Sequence, residues 1–188
     1  MSRRLHLSRL SIAEYLEGER DANLRHEYVD GQVYAMAGAS DRHNRIAGNV
    51  YARISSHLGD NPCEPFISDM KLFVSPSLFY YPDVMVSCDQ PPSDPYFRTQ
   101  PVLLVEVMSP TTARTDRHEK LETYLKIPSL REFAIILQDG MEIELHRRTD
   151  DGWQTEIYRD PDDKIVFNSI SLTLTLDDIY RNVHFGLA

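Results

Sequence analysis

Residues 102–127, VLLVEVMSPTTARTDRHEKLETYLKI, join an almost continuous apolar run to a run of mixed charges. The first seven residues read as a strand buried on both faces of a sheet, because a strand with one wet face alternates polar and apolar positions and this one does not. Residues 112–127 then read as a helix closed by Pro128, whose ring disfavours a helical residue before it. Residues 131–137, REFAIIL, follow as a second apolar strand. A strand, a crossover helix and a further strand call for parallel pairing somewhere in the sheet. Too few helices separate the remaining strands for a doubly wound parallel fold, so the expected class is α/β or α+β with a central mixed sheet flanked by helices.

Working outward, residues 11–20 read as a short helix with Ser11 as cap and Glu14 as its capping-box partner. Asp30-Gly31 is a hairpin turn between two short apolar runs. Residues 40–59 read as a long helix: Ile46, Val50, Ile54 and Leu58 recur every four positions, Ser40 or Asp41 can cap it, and Gly59 can close it. Residues 62–76, PCEPFISDMKLFVSP, read as one strand, and residues 78–88, LFYYPDVMVSC, as another with Pro82 at its entry. Asp139-Gly140 joins two further strands, and residues 152–160 and 170–180 add strands and a terminal turn. With no repeat and no low-complexity tract, one domain spanning 1–188 is expected, its core about 12–148 and its added C-terminal strands in 149–188.

The chain has 188 residues, a net charge of −9 and 41% hydrophobic composition. Such acidity argues against sequence-blind binding of nucleic acid through bulk charge, though a metal ion can neutralise an acidic pocket before a phosphate enters it. Cys63 and Cys88 lack zinc-ligand spacing and read as two reduced core residues. No run approaches the roughly 20 apolar residues of a membrane span, and residues 1–18 show no leader-like pattern, so a cytoplasmic protein without membrane contact is expected.

The chemistry centres on Glu106, a carboxyl in an apolar strand, where an unpaired charge is expensive. Three readings stay open: it shares a metal with Asp83, it pairs with an arginine, or its strand lies at a sheet edge. If the strands carrying Asp83 and Glu106 are neighbours, their carboxylates and a backbone carbonyl such as that of Val107 offer the hard oxygen ligands that suit Mg²⁺ or Mn²⁺. Lys120 shares a helical face with Asp116, so it either forms a surface pair or reaches back to the acidic cleft. Glu27 is either an outer carboxylate of that cleft or a solvated acid. His43 lies on the apolar face of its helix, so it either reaches the cleft or is a core-edge histidine bonded to a backbone group, and Ser68 and Asp69, polar positions within a strand, can line the same pocket; their roles stay open. Arg114, Arg117, His118, Lys126 and Arg131 interleave with acids and read as a solvated face. No phosphate-binding glycine loop or serine-nucleophile elbow occurs.

The ordered set YYPDVMV (80–86), VLLVEVMSPTT (102–112) and TDRHEKLETYLKIPSLREFAII (115–136) resembles the Uma-type restriction-endonuclease family of the PD-(D/E)XK nuclease superfamily. HEYVDGQVYAMAG (26–38), DRHNRIAGNV (41–50) and LTLDDIY (174–180) extend the resemblance from about residue 12 to 180. The resemblance implies a restriction-endonuclease-like core, Mg²⁺ or Mn²⁺ as cofactor, DNA as substrate and a homodimer. By position, Asp83 and Glu106 match the motif acids, and Glu27 matches the acidic position before the first strand. Met108 stands where the superfamily pattern has lysine, and Lys120 matches a lysine moved to the following helix. The expected activity is hydrolysis of DNA phosphodiester bonds; the alternative is a non-hydrolysing nuclease-fold module that binds DNA or protein.

Overall fold

The computed structural model describes residues 9–36, 38–88, 94–108 and 116–185, without the side chains of 116–119. The basic cluster expected around Arg114, Arg117 and His118, and the Asp116 side chain, therefore lie outside the described part.

Helix α1 (Ile12–Arg20) starts at Ser11 with the anticipated capping box: Ser11 N–H donates to Glu14 Oε2 at 2.7 Å and Glu14 N–H to Ser11 Oγ at 3.3 Å. Strands β1 (His26–Val29) and β2 (Gln32–Ala35) form the expected hairpin. Its turn residues Asp30 and Gly31 have φ of +48° and +84°, as the turn type favoured between twisted strands requires. Gly31 is also required by space, because a Cβ there would lie 2.6 Å from the Arg9 side chain. Helix α2 (Asp41–Leu58) is capped by Ser40, and its Ile46, Val50 and Ile54 are fully buried.

The stretch expected as one strand over 62–76 is two: β3 (Glu64–Ile67) and β4 (Lys71–Ser75). Ser68, at φ +55°, turns the chain between them, and its N–H donates to the Asp83 carbonyl. The stretch over 78–88 is likewise divided into β5 (Leu78–Tyr80) and β6 (Val84–Ser87), with Pro82, which has no ladder N–H, at the break. The short β7 (Phe97–Arg98) precedes β8 (Pro101–Met108), α3 (Asp116–Tyr124), β9 (Glu132–Leu137), β10 (Ile143–Thr149) and β11 (Gly152–Tyr158). Strand β12 (Lys164–Phe167), not anticipated, pairs with β13 (Leu172–Thr175), and α4 (Leu176–Ile179) follows.

The mixed sheet is confirmed. A six-stranded sheet runs β11-β10-β9-β8-β6-β3, with β8 and β9 parallel across the α3 crossover and the other pairs antiparallel. A second sheet runs β2-β1-β5-β4-β7. Alternation along β8 sends Leu103, Val105 and Val107 into a core shared with α2, β12, β13 and α4. Leu104 and Met108 go to the opposite core, shared with α3 and the second sheet through Tyr124, Leu72 and Tyr80. Glu106 has the same parity as Leu104 and Met108, so it faces this second layer. Among the described residues no helix is long and apolar enough to cross a membrane.

Cys63 and Cys88 are not two free thiols: they form a disulfide. Strands β3 and β6 pair antiparallel with Glu64 opposite Ser87, so the flanking cysteines fall opposite one another, 4.2 Å apart at Cα. The bond closes a separation of 25 residues, which by chain entropy is worth about 3 kcal/mol. Replacing Cys63 and Cys88 by alanine, or adding reductant, is expected to lower folding stability by about that amount in denaturant titrations.

Candidate active site

Three elements meet at the end of β8. The break before β6 leaves Asp83 beside Val107 of the neighbouring strand, whose N–H donates to Asp83 Oδ2 at 2.7 Å. Helix α2 brings His43 to the other oxygen, Nε2 to Oδ1 at 2.8 Å. That bond, against the opposing effect of burial, raises the imidazole above its usual range. The expected adjacency of the Asp83 and Glu106 strands holds, with Val84 opposite Val105.

Glu106 is buried in a strand flanked on both sides, so the edge-strand reading does not hold, and its partner is not an arginine. Its Oε1 accepts from the Tyr124 hydroxyl at 2.8 Å and from Lys120 Nζ at 3.4 Å. Oε2 has no protein donor among the described residues. Lys120 Nζ also meets Glu27 Oε1, at 2.8 Å, and lies 5.2 Å from the centre of the Tyr80 ring. Lys120 is thus not a surface residue, and Glu27 is not a solvated acid; their side chains are 16% and 20% exposed.

The electrostatics follow from one ammonium facing several acids. Burial pushes the Glu106 carboxyl up to about 7 from the usual 4.5, against the pull of Lys120 and the Tyr124 hydroxyl, and the charge of Asp83 adds to the rise. Burial would lower the Lys120 amine, but Glu106 and Glu27 outweigh it, and the amine is held above its usual range. These directions are compatible: one ammonium cannot neutralise Glu27, Glu106 and Asp83 together, and the most buried acid takes up the proton.

A cavity of about 740 Å³ opens over this cluster, lined among others by Glu27, His43, Asp83, Glu106, Val107 and Lys120. Of the two polar strand positions expected to line the pocket, Ser68 lines it, but Asp69 does not: it pairs with Arg25 at 3.4 Å on the other side of the β3–β4 turn. Tyr124 and Tyr80 were not anticipated. Tyr124 lies four residues beyond Lys120, on the same helix face, which is the signal that could have pointed to it.

Among the described residues no three His, Cys, Asp or Glu side chains group into a ready-made metal site. What the cluster offers is Asp83, Glu106 and backbone oxygen, with more negative than positive charge. That donor set fits a hard divalent cation that keeps most of its waters, and it does not fit zinc.

A model of the Uma2 family, described as "Putative restriction endonuclease", matches residues 12–177. Two Synechocystis sp. proteins (strain ATCC 27184 / PCC 6803 / Kazusa) are similar along most of the chain. The "Uncharacterized protein slr1290" is 36% identical over 181 residues, 94% of each chain. The "Uncharacterized protein sll1609" is 35% identical over 146 residues, 76% of this chain and 82% of that one. A crystal structure described as "a putative nuclease belonging to DUF820", from Anabaena variabilis ATCC 29413, shares the fold. Its TM-score is 0.73 at 19% identity, covering 91% of this chain and 97% of that chain.

Tyr124→Phe removes a buried hydrogen bond to the Glu106 carboxylate. It is expected to raise the Glu106 pKa further, seen as a later titration of its side-chain carboxyl carbon by NMR, and to destabilise the fold by about 1–3 kcal/mol where that acid is ionised.

Proposed function

The chain belongs to the Uma2 family, and from that premise we propose that it is a Mg²⁺- or Mn²⁺-dependent endonuclease hydrolysing DNA phosphodiester bonds. The observation that carries this reading is Lys120 Nζ, brought by the helix after the Glu106 strand to 3.4 Å from Glu106. Asp83 and Glu106, with the Val107 carbonyl, are the residues that would hold the cation. A divalent ion bound there would supply charge neutralisation at the scissile phosphate and make a water acidic enough to attack.

The chain's own groups do the rest. His43 and the Val107 N–H hold the Asp83 carboxylate by both oxygens, fixing its plane. Tyr124 fixes Glu106. Lys120 stays protonated, so it acts at Nζ as a donor: it orients the attacking water and offsets charge on the pentavalent phosphate. Glu27 holds that amine at 2.8 Å and stands ready to orient an outer water. Water attack on phosphorus forms one phosphorus–oxygen bond and breaks one ester bond; the water's proton leaves through solvent in the open cavity, and the departing sugar oxygen takes a proton from solvent to leave as a hydroxyl. One such centre per chain cuts one strand, so double-strand cleavage takes a homodimer. We read residues 1–188 as one domain acting in the cytoplasm; in support, α2, the six-stranded sheet and the C-terminal β12, β13 and α4 share one core.

The alternative, a nuclease-fold module that binds DNA or protein without hydrolysis, draws on Met108, which lies in the core where the superfamily pattern has lysine. Cleavage assays on different DNA forms with Mg²⁺ or Mn²⁺ separate the two. Asp83→Asn and Glu106→Gln are each expected to abolish both metal binding by calorimetry and cleavage. Lys120→Ala is expected to retain metal binding and to slow cleavage by about a hundredfold or more. Metal binding that survives both carboxylate changes overturns the assignment.

The sign of the pH dependence is set by Glu106. Its carboxyl must lose a proton to bind a cation, so affinity is expected to rise as pH increases through about 7, with proton release on binding. Calorimetry in buffers of different ionisation enthalpy measures that release. In the metal-free protein the same raised pKa works the other way. The Glu106 contribution to stability is fully present below 4.5 and is lost as pH rises through about 7.

A further inference from the structure

A second cation lies buried outside this cluster. Lys71, at the start of β4, is only 5% exposed, yet among the described residues its amine makes no hydrogen bond and no ion pair. Its neighbours are aromatic faces: Nζ stands 5.5 Å from the centre of the Tyr81 ring and 5.9 Å from that of Tyr96. Arg20, from the end of α1, lies over the same Tyr96 ring at 5.2 Å, and it too has no ion pair among the described residues.

The acids nearby do not fill the gap. Glu19 accepts from the His26 N–H, the His26 ring and the Tyr81 hydroxyl. Asp69 is taken by Arg25. Burial pushes the Lys71 amine below its usual range, and Glu19 and Asp94 offset this only from a distance. A lysine buried along its stem, with its amine facing the cleft and no acceptor there, costs stability, and two cations converging on one ring repel one another. Aromatic faces stabilise a cation without using its N–H donors, so those donors remain for an incoming anion.

The place for that anion exists. A cleft of about 120 Å³ is lined by Arg20, Arg25, Lys71 and Tyr96, together with Glu19 and Asp69. It adjoins the large cavity: Tyr81 lines that cavity and carries Lys71 on its ring, and the turn holding Ser68 and Asp69 separates the two. We infer that the Lys71–Arg20–Tyr96 cleft is a phosphate site, taking a backbone phosphate of the DNA strand whose scissile phosphate lies in the main cavity. The choice of DNA rests on the endonuclease reading; the phosphate chemistry does not. Because Tyr81 stands between the two sites, the cleft holds the strand in register rather than touching the reacting atoms.

The test uses the full chain without divalent metal, so that it reads binding and not cleavage. Inorganic phosphate is titrated by calorimetry, and a DNA duplex by fluorescence anisotropy between about 50 and 200 mM salt. Lys71→Met keeps the length and apolar stem but removes the charge. It is expected to weaken phosphate binding about tenfold or more and to lower the salt slope for the duplex by about 0.9, the value of one phosphate contact. Its melting temperature is expected to match or exceed that of the wild type, because a charge without an acceptor is gone from a mostly buried side chain. Arg20→Gln, at an exposed position, is expected to weaken both ligands with no change in folding. Asp83→Asn is expected to keep the wild-type salt slope, so loss of cleavage and loss of this site are told apart.

If Lys71→Met weakens phosphate but leaves the duplex salt slope unchanged, the anion site stands and DNA is the wrong source. If neither ligand responds to Lys71→Met or Arg20→Gln, the inference fails. It also fails if Lys71→Met unfolds the protein while Arg20→Gln binds both ligands as the wild type does, since Lys71 is then a structural residue.

Discussion

The contact between the Lys120 ammonium and the buried Glu106 carboxylate is the interaction on which the rest of the site depends. A carboxyl on a strand covered on both faces is costly unless something holds it, and the bond at 3.4 Å supplies an opposite charge from a different element. The amine alone is not enough, because Glu27 claims it at 2.8 Å. Tyr124, one helical turn further on, adds the neutral donor that completes the pocket. The site is therefore assembled across layers: β8 brings the acid, α3 two of its partners, and β1 of the other sheet the acid that steadies the lysine.

Asp83 answers to a different constraint. It lies where Pro82 ends one strand and β6 begins, so it escapes the ladder and turns both oxygens to partners that the fold itself places, a backbone N–H of β8 and a histidine of α2. Its geometry is thus tied to the sheet and to the helix packed on the far side of that sheet. Glu106 is tied to the near side. Two acids held from opposite layers cannot drift together or apart without repacking a core, so their geometry is fixed before anything binds.

Elements whose local pattern and tertiary role agree were legible in the sequence. The capping box of α1, the Asp30-Gly31 hairpin, the long α2 and the apolar β8 all appear where composition and period put them. The candidate acids were legible because a carboxyl in VLLVEVM breaks a pattern, and Lys120 and Glu27 because of the resemblance. What stayed hidden depends on pairing rather than on pattern. Strands β3 and β4 look continuous, and only the left-handed Ser68 sends their residues to different sheets. The partnership of Cys63 and Cys88 follows from the β3–β6 register, which spacing along the chain does not express. Tyr124 drew no reading, and the partner of His43 stayed open between the acidic cleft and a backbone group, until the structure gave each a carboxylate.

The position of Met108 shows why an amine meets Glu106 from a neighbouring helix and not from its own strand. Two residues past Glu106, it has the same strand parity, so a lysine there would project into the same layer. Met108 packs in that layer with Leu72, Tyr80, Tyr124 and Ile135 and also borders the cavity beside Glu106 and Lys120. The crossover helix solves the placement differently. Because β8 and β9 are parallel, the chain must return along the sheet between them, and α3 is the segment that makes the return. Tyr124, on the face of α3 that enters this core, leaves Lys120 one turn back toward the cavity, with the Tyr80 ring beneath its amine. The charge arrives from the helix instead of from the strand that carries the acid. The strand keeps its apolar packing, and the amine keeps one side open to whatever enters the cavity.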